Sequence, residues 1–296
     1  MDLDGTGSPA GLVTKILKAE PRLPVPVPIE ELARQLDIRE IAPLETEGFE
    51  GGLLTDEARS SGIILVNGAA RRGRRRFTIG HELGHFLIPT HKPKKGSEFL
   101  CSRDDMRRWS DKDQDNYGRM EVQANEFSAL ILMPPPFWRK EMAAYRDPAL
   151  SQVVALAGKF DVSKEAAART YARYHDELVA IVVVKDGKID RIYRDTVRFP
   201  FISVEAGQAV PRSSIFHRAR KTLDAPSEID EVAPEAWLQS DWGKRLPTLY
   251  EQVFFQQGGF ALLMLWAEPA EEAEEDADED RTSKQRLRDR QSRWRS

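Results

Sequence analysis

Five consecutive residues, His81-Glu82-Leu83-Gly84-His85, carry the strongest chemical pattern in the chain. On a helix, His81 and His85 stand four residues apart and share one face. Two imidazoles at that spacing can grip one metal ion, and Glu82 beside them can take and return protons. The chain has five histidines, and two of them bracket a glutamate in this way. The pattern fits metal-assisted hydrolysis, in which a bound ion acidifies water and Glu82 passes the proton to the leaving amine.

Such a site needs a third protein ligand and keeps a fourth position for water. Residues 120–133 offer one, because Glu121, Ala124, Asn125 and Ser128 fall at helical spacing along one stripe. The carboxylate of Glu121 is the candidate ligand, and the small residues let this helix approach the first closely. Asn125 could hold a ligand histidine from behind or make a helix-packing hydrogen bond. Tyr117, His91 and His175 are candidate donors to an oxyanion. Each also has a plain structural role open to it: Tyr117 in packing, His91 on a loop surface, His175 as a charge at a helix C-terminus. Cys101 could approach the metal as an inhibitory thiolate, but a lone loop cysteine reads more simply as incidental.

The elements that must position these residues are partly legible. Residues 11–20 have helical periodicity, 21–28 are proline-rich and extended, and 29–36 form a short amphipathic helix. Residues 48–66 suggest sheet, with Gly62 to Asn67 the clearest strand; Ile63 to Val66 could pair with an extended peptide or lie in the core. The basic run Arg71 to Arg76 could touch an acidic partner or simply start a helix in solvent. Residues 91–116 read as a long polar loop, a common setting for lids. A helix follows over 117–133, and Pro134-Pro135-Pro136 stops it. Two helices over 149–175 surround Phe160-Asp161-Val162-Ser163, where Asp161 or Ser163 can cap the second. From 178 the pattern turns β-rich, with hairpins at Asp186-Gly187 and between 251–255 and 260–266. Residues 269–296 are a block of acids and then a block rich in arginine, expected to be disordered.

The string Arg76-Phe77-Thr78-Ile79-Gly80-His81-Glu82-Leu83-Gly84-His85-Phe86 resembles the metal helix of the ImmA/IrrE family of zincin-like metallopeptidases. Glu121-x-x-Ala124-Asn125-x-Phe127-Ser128-x-x-Ile131-Leu132-Met133-Pro134 is similar to its second helix. The proline-rich approach to residues 29–33 and the strand ending at Asn67 also fit, so the resemblance spans 12–175. It implies Glu121 as the third ligand and a helix-turn-helix transcriptional repressor as substrate, cleaved in stress response, mobile-element or toxin–antitoxin settings. One departure is Gly80, where the family usually has alanine; a helical glycine costs about 1 kcal/mol.

The resulting expectation is an α+β chain. A zincin-like peptidase domain, mainly helical with a small sheet, occupies 1–177, including helix-turn-helix-like helices at 149–175. A β-rich sensor or docking domain covers 178–268, and a charged disordered tail covers 269–296. The ligand set suits Zn²⁺, with Mn²⁺ or Fe²⁺ as alternatives. The net charge of −4 points to no broad nucleic-acid surface. Direct DNA binding by 150–175, through Lys164, Arg169 and Arg173, is the weaker reading beside a packing role, because base-reading residues are sparse. One cysteine excludes an internal disulfide, no apolar run spans a bilayer, and the start, Met1 to Gly5, lacks a signal pattern. A soluble cytoplasmic protein without membrane contact is expected.

Overall fold

The computed structural model describes residues 3, 5–45, 48–92, 98–108, 115–239 and 245–268. Among them are seven α-helices and two sheets. The 269–296 tail expectation lies outside the described residues, as does much of the stretch read as a long loop.

The first sheet has the order β1-β3-β2-β4, with β1 (Ile38–Leu44) parallel to β3 (Gly62–Asn67). Strands β2 (Phe49–Thr55) and β4 (Glu98–Ser102) run antiparallel to their neighbours. Strand β3 is therefore interior and has both edges paired, so Ile63 to Val66 cannot take an added peptide strand. Within the stretch expected to be a loop, residues 98–102 form a strand because alternate side chains, Phe99 and Cys101, have a buried face to occupy.

Helices α1 (Pro9–Ala19), α2 (Ile29–Gln35), α3 (Arg72–Leu87) and α4 (Asn116–Leu132) close over this sheet. Leu12, Ile16, Leu32, Leu53, Ile64, Ile79, Leu83, Phe127 and Ile131 form one buried core among them. Three arginines of the basic run are used internally. Arg72 Nε lies 2.7 Å from Asp161, Arg76 Nε 3.4 Å from the same carboxylate, and Arg75 Nε 3.1 Å from Glu30. The run anchors the start of α3 to two other elements, while Arg71 and Arg72 at its beginning stay exposed.

The second sheet is antiparallel throughout, in the order β6-β5-β9-β8-β7. It comprises β5 (Leu178–Lys185), β6 (Lys188–Arg194), β7 (Asp230–Val232), β8 (Thr248–Phe255) and β9 (Phe260–Glu268). Period-two alternation gives it two apolar faces. Ala180, Val182 and Val184 face a core with Phe199, Ile215 and Trp237. Val179, Ile181 and Val183 face α5 (Pro135–Met142), α6 (Leu150–Phe160) and α7 (Lys164–Tyr174), whose Trp138, Phe160 and Tyr171 are fully buried. The helices over 149–175, grouped at the sequence level with the first sheet, thus bury their apolar faces on the second. Ser163 Oγ caps α7 by accepting the Ala166 amide at 3.1 Å, while Asp161 ends α6 in a left-handed conformation. No helix among the described residues is long and apolar enough to cross a membrane.

Candidate metal centre

Helix α3 contributes His81, Glu82 and His85, and α4 contributes Glu121; all four side chains are buried. The two helices come this close because glycines face small or flat partners. A Cβ at Gly84 would sit 3.2 Å from the Ala124 Cα, and one at Gly80 would sit 2.6 Å from Ser128 Oγ. The sheet reaches the site at Gly51 on β2, where a Cβ would fall 2.7 Å from Glu82 Oε1. Ala124, Asn125 and Ser128 line the α3-facing stripe with Glu121, as the helical spacing requires.

Hydrogen bonds behind the histidines fix their tautomers. Asn125 Nδ2 donates to the main-chain oxygens of Asp105 (2.9 Å) and Arg108 (2.8 Å), which turns its Oδ1 toward His81 Nδ1 at 2.9 Å. His81 Nδ1–H donates there, leaving the Nε2 lone pair free. For His85 the chain is longer. His91 Nε2–H donates to Gln123 Oε1 at 3.0 Å, so His91 Nδ1 accepts from His85 Nδ1–H, also at 3.0 Å. This assignment requires a neutral His91, and burial lowers it to about 3.

Both Nε2 atoms therefore face inward without protons, 3.1 Å apart. Glu121 offers Oε2 to His81 Nε2 at 3.2 Å and Oε1 to His85 Nε2 at 3.6 Å. Neither Glu121 oxygen has a hydrogen-bond donor, and neither does Glu82 Oε1. Four acceptors converging in a dry site are costly unless a cation joins them, so this donor set fits a divalent metal held by His81, His85 and Glu121. Without one, a proton must serve. Burial opposes charge on His81, but the Glu121 hydrogen bond and charge outweigh it and raise His81 above its ordinary value. His85 is lowered, by burial first. Burial also acts on Glu121, but its bonds to both imidazoles hold it well below the usual carboxylate range. Burial pushes Glu82 up to about 8.

The other candidates separate. Asn125 sits behind His81. His91, read as a loop-surface residue or oxyanion donor, is fully buried behind His85 and orients it. Tyr117, one turn before Glu121, is half-buried; burial and the Glu121 charge push its phenol well above its ordinary value, so it stays a donor. His175 lies elsewhere, tilted against the Tyr171 ring at 4.8 Å, with its Nδ1 accepting the Glu177 amide.

Sequence reasoning missed two contributors and set a third aside. Gln123 is one. Arg59 is another: its guanidinium donates to the carbonyls of His85, Phe86 and Ile88 (3.2, 3.3 and 2.6 Å) and so caps α3. Cys101, read as incidental, is 1% exposed and its Sγ stands 3.7 Å from His85 Nε2 and 3.8 Å from Glu82 Oε2. Only for Cys101 did the sequence offer a metal-facing alternative; no spacing or motif singled out Gln123 or Arg59.

Comparison with known proteins adds a family to this geometry. A peptidase family model, described as the IrrE N-terminal-like domain, matches residues 41–171, a span that holds every residue of the cluster. Among solved structures, a Mycobacterium tuberculosis transcriptional regulator is similar in fold, with a TM-score of 0.53 at 13% identity, over 88% of this chain and 75% of that one. No curated protein sequence matches the chain.

Proposed function

Because residues 41–171 belong to the ImmA/IrrE family as an IrrE N-terminal-like domain, we propose that this chain is a zincin-like, metal-dependent endopeptidase. The observation that carries the reading is the convergence of two deprotonated Nε2 atoms and the unpartnered Glu121 carboxylate on one buried point. His81, His85 and Glu121 hold the cation, and Zn²⁺ suits that set best, with Mn²⁺ or Fe²⁺ as alternatives. Once bound, it supplies Lewis acidity toward a peptide carbonyl and toward water. Glu82 accepts the proton of the attacking water and returns it to the leaving nitrogen. Asn125 and His91 keep the imidazoles in register, and the Tyr117 phenol supplies a proton donor at the Glu121 side.

The proposed substrate is a helix-turn-helix transcriptional repressor, whose cleavage derepresses genes in the cytoplasm in a stress-response, mobile-element or toxin–antitoxin setting. Residues 178–268 then serve as a sensor or docking module beside the peptidase unit. The competing reading is a non-catalytic regulator that binds DNA or a partner protein through 150–175 and the charged tail; its DNA form is weaker because the cations of α7 are engaged on aromatic rings. Lys164 lies 4.9 Å from the Phe254 ring centre, Arg169 lies 6.0 Å from that of Tyr193, and Arg173 lies 5.5 Å from that of Tyr174. Co-expression with the helix-turn-helix regulator encoded nearest tests the proposal. Wild type should cleave it, and Glu82→Gln should lose about 100-fold or more while retaining its metal. Equal cleavage by both, or by neither across zinc, manganese and iron, counts against the peptidase reading.

A further inference from the structure

Cys101 is the chain's only cysteine. It lies on β4, where Phe99 and Cys101 point inward and Glu98 and Leu100 outward. Phe99 stacks on the His85 ring at 4.9 Å, so this strand lies directly on the metal face of α3. The ligand atoms of His81, His85, Glu121 and Cys101 all fall within 4.8 Å of one another. Ligand–metal bonds of about 2.0–2.3 Å in a tetrahedron place neighbouring donor atoms roughly 3.3–3.8 Å apart. The observed separations of 3.1 Å (His81–His85), 3.2 and 3.6 Å (Glu121 to the two histidines) and 3.7 Å (Cys101–His85) lie within about 0.2 Å of that spacing. The unpartnered, buried oxygens of Glu121 point independently to a cation at the same place.

Three ligands leave a position for water, whereas four protein ligands close the site. Strand β4 adds a second obstruction. It pairs antiparallel along the outer edge of β2, with Gly51 opposite Cys101, Gly52 opposite Leu100 and Leu53 opposite Phe99. That edge lies beside Glu82, because Cys101 on the paired strand stands 3.8 Å from Glu82 Oε2. An extended peptide reaching Glu82 would add itself to this edge through main-chain hydrogen bonds, and β4 already fills it.

We propose that Cys101 is a fourth metal ligand and that β4 is a built-in plug, closing the site by taking both the open coordination position and the sheet edge an extended peptide needs. The inference rests on the metal-centre reading above and concerns its regulation. On ligation the thiol releases its proton to solvent. Opening requires β4 to leave β2 with Cys101. The plug is a five-residue strand at a sheet margin, the kind of element that detaches at low cost.

The test uses the full chain loaded with cobalt(II) in place of zinc, as wild type and as Cys101→Ala. Wild type should show a thiolate-to-cobalt charge-transfer band in the near ultraviolet, and Cys101→Ala should bind one cobalt without it. Acetohydroxamate, a small oxygen-donor probe, should perturb the visible cobalt spectrum of Cys101→Ala at a concentration about tenfold or more below that needed for wild type. A measurement on wild type alone guards against a variant that misfolds: zinc should slow iodoacetamide alkylation of Cys101 by about tenfold or more relative to metal-free protein. Cobalt bound without the band, equal acetohydroxamate affinity, or alkylation indifferent to zinc each overturns the plug while leaving the three-ligand centre standing. Failure of wild type and Cys101→Ala alike to take up cobalt overturns the metal-centre reading and the plug with it.

Discussion

Glu251 and the Glu82–Glu121 pair are buried carboxylates that differ in what surrounds their oxygens. Glu251 on β8 is as inaccessible as Glu82 and Glu121. Its Oε1 accepts the Ser214 hydroxyl, and its Oε2 accepts the Trp237 indole at 3.3 Å and the Ile215 amide at 3.4 Å. Every donor there comes from the segment that covers the sheet, so Glu251 is a peg that fastens a long connection. At the metal centre the groups facing the Glu121 oxygens are ring nitrogens 3.2 and 3.6 Å away, and neither oxygen has a hydrogen bond of the kind that satisfies Glu251. Burial of an acid alone therefore does not mark a site; a buried acid facing other acceptors does.

That contrast can be attacked at several points. Glu121→Gln should lower metal affinity by more than the roughly 100-fold typical of a supporting residue. Competition with a chelator measures it, and parent-like zinc retention would erase the distinction between the clusters. Glu251→Leu should do the reverse, leaving metal affinity unchanged while costing about 2–3 kcal/mol of stability, because three donors lose their acceptor. Denaturant melts read the loss.

The same peg carries a pH signature. Burial raises the Glu251 pKa in the folded chain, against the pull of its Ser214 and Trp237 donors. The folded form then holds the proton more readily than the unfolded one. Its contribution is full below the ordinary glutamate value and is lost as pH rises through the folded value. The stability gap between wild type and Glu251→Gln should narrow over that rise, and a gap independent of pH contradicts it.

Asn125→Ala sharpens the comparison from the other side. It removes no ligand but frees the His81 ring, and metal affinity should fall about 10–100-fold. Unchanged affinity by calorimetry would mean that His81 is oriented by packing alone. Smallest is Gly80→Ala, where a helix-propensity gain near 1 kcal/mol meets a steric cost of about 1–3 kcal/mol against Ser128. A net loss near 1 kcal/mol is expected, reduced in a Ser128→Ala background; a stabilised Gly80→Ala protein would show that α3 and α4 can separate.

Much of the site was legible because one periodicity governs it. Four-residue spacing puts His81 beside His85, and the same spacing puts Glu121 beside Asn125. What the sequence hid came from partners far away along the chain. Cys101 acquires its neighbours only because β4 pairs with β2, some fifty residues earlier, and five residues of a polar stretch show too little alternation to announce it. Strand β1 was hidden by Pro43, which argues against an interior strand but is tolerated at the sheet margin where β1 lies. The three prolines at 134–136 do stop α4, yet Pro135 also opens α5, since the first turn of a helix needs no amide there.

The anchorage of Asn125 has a consequence for how this site can vary. The amide that steadies His81 is gripped by main-chain oxygens of Asp105 and Arg108, not by their side chains. Every amino acid supplies that oxygen, so this grip depends on the path of the main chain and not on the side chain that Arg108 carries. Substitution at Arg108 should therefore leave the His81 ring where it is, whereas a change in the path of the main chain there would release it.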